Sequence, residues 1–306
     1  MSVLVVGSFV VDCVATCKRA PEAGETVVGD SYNTYLGGKG ANQAFASIRM
    51  GSKTTMVGCL GNDGFGKQFL EELNKEGFDT SYIKISNKHS TGVSLVTVEH
   101  SGQNRICMTP GANLDYTVED LNQIEDLIRN SDVIVTQLEM KYEIAAQLAR
   151  LAKKHNKKMI LNPAPAVLLD DEIINGLYCI TPNETELGII INQKIETMED
   201  YIKGAKVLLE KGCQNVIVTL GKSGSLLVNK EGTTLVPAYV VKAIDTVGAG
   251  DSFTGSLSAM IDQGKPLKEA MQIATVVAAL EVQQRGAIPA MPYKKDVYEF
   301  LKGKEI

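Results

Sequence analysis

Between Thr117 and Gly221 the chain alternates two kinds of segment, and that alternation restricts the fold more than any other feature. "TVEDLNQIEDLIRN" reads as an amphipathic helix, with Thr117 as its N-cap and Asp120 three residues later, close to a capping box. There follow strand "DVIVTQLE", helix "KYEIAAQLARLAKKHN", strand "KKMILNPAP" and a helix around "LLDDEIING". Strand "YCITPNE", helix "MEDYIKGAKVLLEKG" and strand "NVIVTLG" complete the series. Strands separated by helices in this way lie parallel, joined by right-handed crossovers, with helices on both faces. The fold class this predicts is α/β: a doubly wound, mostly parallel sheet flanked by helices. "GSLLVNKEGTTLVPA" reads as a hairpin, and helices are expected over 250–263, over 267–284 and from "PYKKD" onward.

The N-terminal third is less regular. "MSVLVVGSFVVDCV" reads as a first buried strand with Asp12 following it. "GETVVGDSYNTYLGG" and "STGVSLVTVEHSGQNRICMTPGAN" read as short, partly exposed strands, with "HSGQ" as a hairpin turn. Between them lie a helix over 39–50, strand "TTMVGCLG" and a helix over 64–76. The two β-rich patches can pair as a small sheet projecting from the body. Residues 1–306 then read as one domain, and the segments near 10–35 and 90–110 as an insertion or lid.

The formal net charge of −5 argues against a general nucleic-acid binder. No apolar run reaches the length of a membrane span, and the N-terminus lacks the basic region of a signal peptide. The six cysteines are scattered, with no C-x-x-C, which suits thiols in a reducing cytoplasm. His89, His100 and His155 lack metal-like spacing and read as surface or turn residues.

In an open parallel sheet, ligands bind at the carboxyl ends of the strands. That rule selects Glu139 in "QLE", Asn162 in "NPAP", Asn183 and Glu186 in "TPNETE", Thr219 to Gly224 in "TLGKSG", and "DTVGAGD". "GNDGFGKQ" nearly fits a phosphate-binding P-loop, but Gln68 stands where Ser or Thr would hold magnesium. Neither "GGKGANQ" nor "GAGDSF" completes a dinucleotide fingerprint, because Gln43 and Phe253 occupy the third glycine position. "GGKGANQA" still offers close backbone approach, positive charge at Lys39 and both donor and acceptor atoms at Asn42, which suits a polyol. "DTVGAGDSFTG" runs a glycine turn into a helix, an anion-binding arrangement, yet carries a carboxylate, Asp251, where a phosphate would settle.

"GGKGANQA", "NPAP", "TPNETE" and "DTVGAGDSFTG" occur in this order across nearly the whole chain, and together resemble the ribokinase-like (PfkB-type) carbohydrate kinases. The resemblance implies ATP-dependent phosphorylation of the 5-hydroxyl of a sugar, with D-ribose first and deoxyribose, fructose or a nucleoside as alternatives. A non-catalytic sugar-binding regulator on the same fold is the alternative from another class. The implied general base is Asp251, and the backbone N–H groups of Gly248, Ala249 and Gly250 are the implied anion hole. Asp12, Gly38, Lys39, Asn42 and Glu139 match sugar-binding positions. Asn183 and Glu186 match the pair that organises magnesium, and Thr219, Gly221, Gly224 and Thr275 match contacts to ATP. A monovalent cation, K+ first, is implied at the Asp245 side chain and the carbonyls of Val247, Glu281, Gln284 and Gly286. Ala290 stands where some relatives place a serine ligand, and Val10 where some place an asparagine near the sugar. Many members of the family dimerise through the lids, which a projecting sheet with apolar side chains on one face would support here.

Overall fold

The computed structural model describes residues 1–302. The larger of its two sheets contains β1 (Val3–Val6), β4 (Thr54–Gly61), β5 (Ile83–Ser86), β8 (Val133–Thr136) and β9 (Lys158–Leu161). It continues with β10 (Cys179–Ile180), β11 (Asn215–Thr219), β12 (Ser225–Asn229) and β13 (Gly232–Val236). Strand order is β13-β12-β11-β10-β9-β8-β1-β4-β5. All neighbours from β5 to β11 pair in parallel, and the β12–β13 hairpin closes one edge antiparallel. From β1 the chain steps outward to β4 and β5, then returns to β8 on the other side of β1. The direction of winding therefore reverses between β1 and β8, which is where such a sheet opens a crevice at its carboxyl edge.

The period of two along β1 divides its side chains between two cores. Val3 and Val5 join α1 (Lys39–Arg49), α2 (Gly64–Lys75), α9 (Ala249–Asp262), α10 (Leu267–Glu281) and α11 (Lys294–Leu301) on one face. Leu4 and Val6 join α3 (Val118–Gln123), α4 (Glu125–Asn130), α5 (Tyr142–Lys154), α6 (Asp171–Ile174), α7 (Glu184–Ile190) and α8 (Met198–Glu210) on the other. Helices α1 and α9 pack almost backbone to backbone. A Cβ at Gly255 would lie 2.2 Å from the Gln43 carbonyl oxygen, so only glycine permits this approach.

The smaller sheet contains β2 (Val10–Cys17), β3 (Ser31–Gly37), β6 (Gly92–Glu99) and β7 (Asn104–Thr109), in the order β3-β2-β6-β7. It is mixed: β2 runs parallel to β6, while both outer pairs are antiparallel. Three of its strand roots meet at Asn113, which is fully buried. The Asn113 amide accepts the Phe9 N–H (2.9 Å) and donates to the Phe9 carbonyl (2.7 Å) and the Pro110 carbonyl (2.8 Å). Gly92, at the start of β6, approaches the same amide so closely that a Cβ there would lie 2.7 Å from its nitrogen.

Four expectations need correction. The first apolar segment is not one strand: the chain leaves the large sheet at Ser8, whose carbonyl accepts the Ala41 N–H (3.0 Å), and enters the small sheet at Val10. Asp12 therefore lies within β2, not after β1. Thr117 and Asp120 complete a reciprocal capping box, but the helix they start breaks at Ile124 (φ −102°, ψ 19°) and restarts on that residue's carbonyl. In "GETVVGDSYNTYLGG" only Ser31–Gly37 is a strand, because the pairing register with β2 ends at Thr16 opposite Ser31. Finally, the exposed apolar side chains of the small sheet do not share a face. Met108 opposes Ser94 and Ile106 opposes Val96 on the face of Asp12, whereas Leu95 opposes Cys107 on the reverse.

Candidate active site

The carboxyl ends of β1 and β8 and the N-termini of α1 and α9 converge at the switch point. Asp251, in the first turn of α9, is only 6% exposed. One carboxylate oxygen accepts from the Asn42 amide (3.0 Å) and the other from the Gln43 amide (3.0 Å), both in the first turns of α1. Gln43 also donates to the Asn162 side-chain oxygen (3.1 Å) and accepts from the Gln137 amide (2.7 Å). Asn162 in turn donates to the Thr181 carbonyl (3.1 Å). A chain of buried neutral amides thus fixes the rotamer of one carboxylate without neutralising it.

Gly248 takes up the left-handed conformation (φ 92°) that starts α9, and no side chain caps that helix. The first N–H groups of α9 lack intrahelical partners, Ala249 N–H reaching only the Thr246 carbonyl at 3.4 Å, so with the helix dipole this end suits an anion beside Asp251.

Glu139, just past β8, accepts from the Ser8 hydroxyl (2.5 Å) and the Lys39 N–H (2.9 Å). Burial pushes its carboxyl upward, opposed chiefly by the Lys39 charge. The Lys39 ammonium is itself raised, mainly by Asp251 and also by Glu139 and Glu186, so this lysine sits among three carboxylates. Burial raises Asp12 from 3.8 to about 6, with a Ser94 hydrogen bond opposing and the charges of Glu139, Asp245 and Asp251 adding to the rise. Gly37, beside Gly38, faces both the Asp12 carboxylate and the Asn42 side-chain oxygen, at 3.3 and 3.7 Å from the position its Cβ would take. That Asn42 oxygen is buried and lacks a hydrogen-bond partner. An acceptor left open beside a carboxylate fits a ligand rich in hydroxyl donors.

Asn183 and Glu186 start α7 as a reciprocal capping box, the Asn183 oxygen on the Glu186 N–H (2.8 Å) and one Glu186 oxygen on the Asn183 N–H (2.8 Å). Burial raises Glu186, opposed first by the Asn183 N–H and then by the Lys39 charge. The second Glu186 oxygen takes no part in the capping box. Thr219, at the end of β11, forms a lone bridge to Asn183, which joins those two motifs. Gly221 and Gly224 frame the tight turn into β12. Thr275 lies midway along α10, 6% exposed, with its hydroxyl donating to the Met271 carbonyl (2.8 Å), so that hydroxyl is already engaged.

The Asp245 carboxylate accepts from the N–H groups of Val247 (3.1 Å) and Gly286 (3.0 Å), tying the loop before α9 to the loop after α10. Gln284 donates its N–H to the Glu281 carbonyl (3.1 Å), and Ala290 closes a buried turn with no side-chain oxygen to offer. The Glu281 carboxyl, by contrast, is buried against Gly248. The sequence points only to its carbonyl. Nor does it single out Ser8, Gln43 or Gln137; the sole available signals are their positions beside Gly7, Asn42 and the β8 terminus.

A family model described as pfkB family carbohydrate kinase matches residues 1–294. The chain is 35% identical over 298 residues to a ribokinase of Haemophilus influenzae, covering 97% of both chains. It is 33% identical over 306 residues to a deoxyribokinase of Salmonella typhi, covering 100% of both. Among solved structures, Arabidopsis thaliana ribokinase complexed with ribose and ATP superposes with a TM-score of 0.94 at 32% identity, covering 98% of each chain. With this match running through the same elements that bring Asp251, Asn42 and the α9 N-terminus together, the chain belongs to the pfkB family of carbohydrate kinases.

Proposed function

We propose that this sugar kinase transfers the γ-phosphoryl group of ATP to the 5-hydroxyl of D-ribose, giving D-ribose 5-phosphate and ADP. The observation that carries the reading is Asp251, a buried carboxylate held by two amides at the mouth of an uncapped helix N-terminus. The attacking hydroxyl donates to Asp251, which takes the proton as the oxygen–phosphorus bond forms. The N–H groups of Gly248, Ala249 and Gly250 meet the charge that develops on the phosphoryl oxygens. Asp12, Gly38, Lys39, Asn42 and Glu139 orient the sugar: the two carboxylates and the open Asn42 oxygen accept its hydroxyl protons, and Lys39 donates. Thr219, Gly221, Gly224 and Thr275 line the nucleotide's path, Thr275 through its methyl group. Magnesium, when bound, offsets phosphate charge, and Asn183 and Glu186 are the residues that would hold its waters. Potassium would be held by Asp245 and the carbonyls of Val247, Glu281, Gln284 and Gly286, lending positive charge behind the anion hole.

The small sheet acts as a lid that excludes water from the transfer. Exposed Tyr32 and Leu95 share the face turned away from Asp12, and that pair suits association with a second copy. All six cysteines are free thiols, which fits a reducing compartment such as the cytoplasm. Among the described residues no helix is long and apolar enough to cross a membrane.

Full-length similarity to a deoxyribokinase favours 2-deoxyribose as a second acceptor. ADP release across a panel of sugars, with and without potassium, tests the reading. Ribose is expected to lead the panel, with a lower rate when choline replaces potassium. A rate with deoxyribose above that with ribose would transfer the assignment, and no sugar-dependent ADP release would end it.

A further inference from the structure

Glu281 ends α10 with its side chain 1% exposed, and neither carboxylate oxygen has a hydrogen-bond partner. One of them packs against Gly248: a Cβ at that glycine would lie 2.7 Å from Glu281 Oε1 and 2.7 Å from the Ala287 Cβ. Its charged neighbours are the acids Asp251 and Asp245, and no basic group offsets them. A carboxylate desolvated among other acids demands a positive partner.

We infer that the Glu281 carboxylate is a direct ligand of a large monovalent cation, held between α10 and the Gly248 turn. The inference rests on the reading of the 245–290 loops as a cation site, and adds to it a charged side-chain ligand. Among the described residues no three carboxylate, imidazole or thiolate side chains converge on one point. With Asp245 the one other acidic ligand, the rest of the set is carbonyls, suited to a weakly hydrated monovalent ion and poor for magnesium. Glu281 also compensates for Ala290, whose side chain supplies no oxygen. A cation here would lie directly behind the glycine whose N–H faces the transferred group.

Thermal unfolding in KCl against choline chloride at fixed ionic strength, together with thallium(I) binding followed by 205Tl NMR, provides the test. Neither readout requires turnover. The wild-type protein should melt higher in KCl, and Glu281→Gln, which keeps the shape and removes the charge, should weaken thallium binding about tenfold or more. Glu281→Ala should show the same loss, and circular dichroism confirms that each variant is folded. If both variants bind thallium as tightly as the wild type, Glu281 is not a ligand while the cation site stands. If the wild type itself binds neither potassium nor thallium, the cation site and the Glu281 inference fall together, and sugar-dependent ADP release still judges the kinase reading separately.

Discussion

Asp12 gives the sharpest test of how the sugar is held. Its displacement from 3.8 to about 6 corresponds to a cost on the order of 3 kcal/mol for keeping the carboxylate ionised at neutral pH without ligand. The sign is that of a group raised by folding: its contribution to stability is complete below 3.8 and is lost as the pH rises through 6. Sugar hydroxyls favour the ionised form, because each hydrogen bond to a charged group contributes about 1.5–3 kcal/mol. Binding should therefore weaken as acid protonates Asp12. Ribose affinity at pH 5 is expected to be about tenfold lower than at pH 7, since only about a tenth of the free protein then carries the carboxylate. Isothermal titration calorimetry without ATP reads binding apart from turnover, and the Asp12→Asn comparison assigns the slope to Asp12. Asp12→Asn should bind ribose about 10-fold to 150-fold more weakly at pH 7, lose the slope between pH 5 and 7, and unfold at a higher denaturant concentration. Equal ribose affinity at pH 5 and 7 in the wild type, or an unchanged slope in Asp12→Asn, would refute the reasoning.

Three further outcomes are expected. Asp251→Asn should lower kcat about 10²–10⁴-fold while ATP affinity, measured by calorimetry, stays near the wild-type value; near-normal turnover would remove Asp251 as the base. Gln43→Leu deprives Asp251, Asn162 and Gln137 of partners at once, so kcat/KM should drop about 10–100-fold with a loss of about 3 kcal/mol in urea unfolding, and a stability loss with kinetics intact would reduce Gln43 to a packing residue. Gly255→Val places carbon where the Gln43 carbonyl lies 2.2 Å away, so α9 must shift from α1; stability should fall by about 1–3 kcal/mol or more, with kcat falling alongside because Asp251 rides on α9.

The large sheet was legible because each of its parallel strands is a short apolar run followed by a helix of visible period. The boundaries that mattered for the site were not. Nothing in "VLVVGSFVVDCV" announces that the apolar stretch serves two sheets, because Val5 and Val11 meet similar burial on either side of the crossing. Asp251 was recognisable beside its glycines, since a charged residue at a helix start is conspicuous. Gln43 and Gln137 were not, since a neutral amide means little until its partners, 94 residues apart in sequence, are folded together. For Glu281 the resemblance implied a role for the carbonyl alone, inside the expected helix 267–284. Only the approach of Gly248 and Ala287, from two separate loops, encloses the side chain.

Asn113 carries a last consequence. Because Phe9 and Pro110 are hydrogen-bonded to one amide and Gly92 packs against it, three of the four strands of the small sheet share a single anchorage. A lid built this way is expected to swing as a plate rather than peel away strand by strand, with β3 leading into α1 through Gly37 and Gly38. Such a swing would change the distance between Asp12 on the plate and Asp251 on the body, and would move Tyr35 against Gly286. Capture of the acceptor and alignment of the base are thereby geared together through a side chain that belongs to neither.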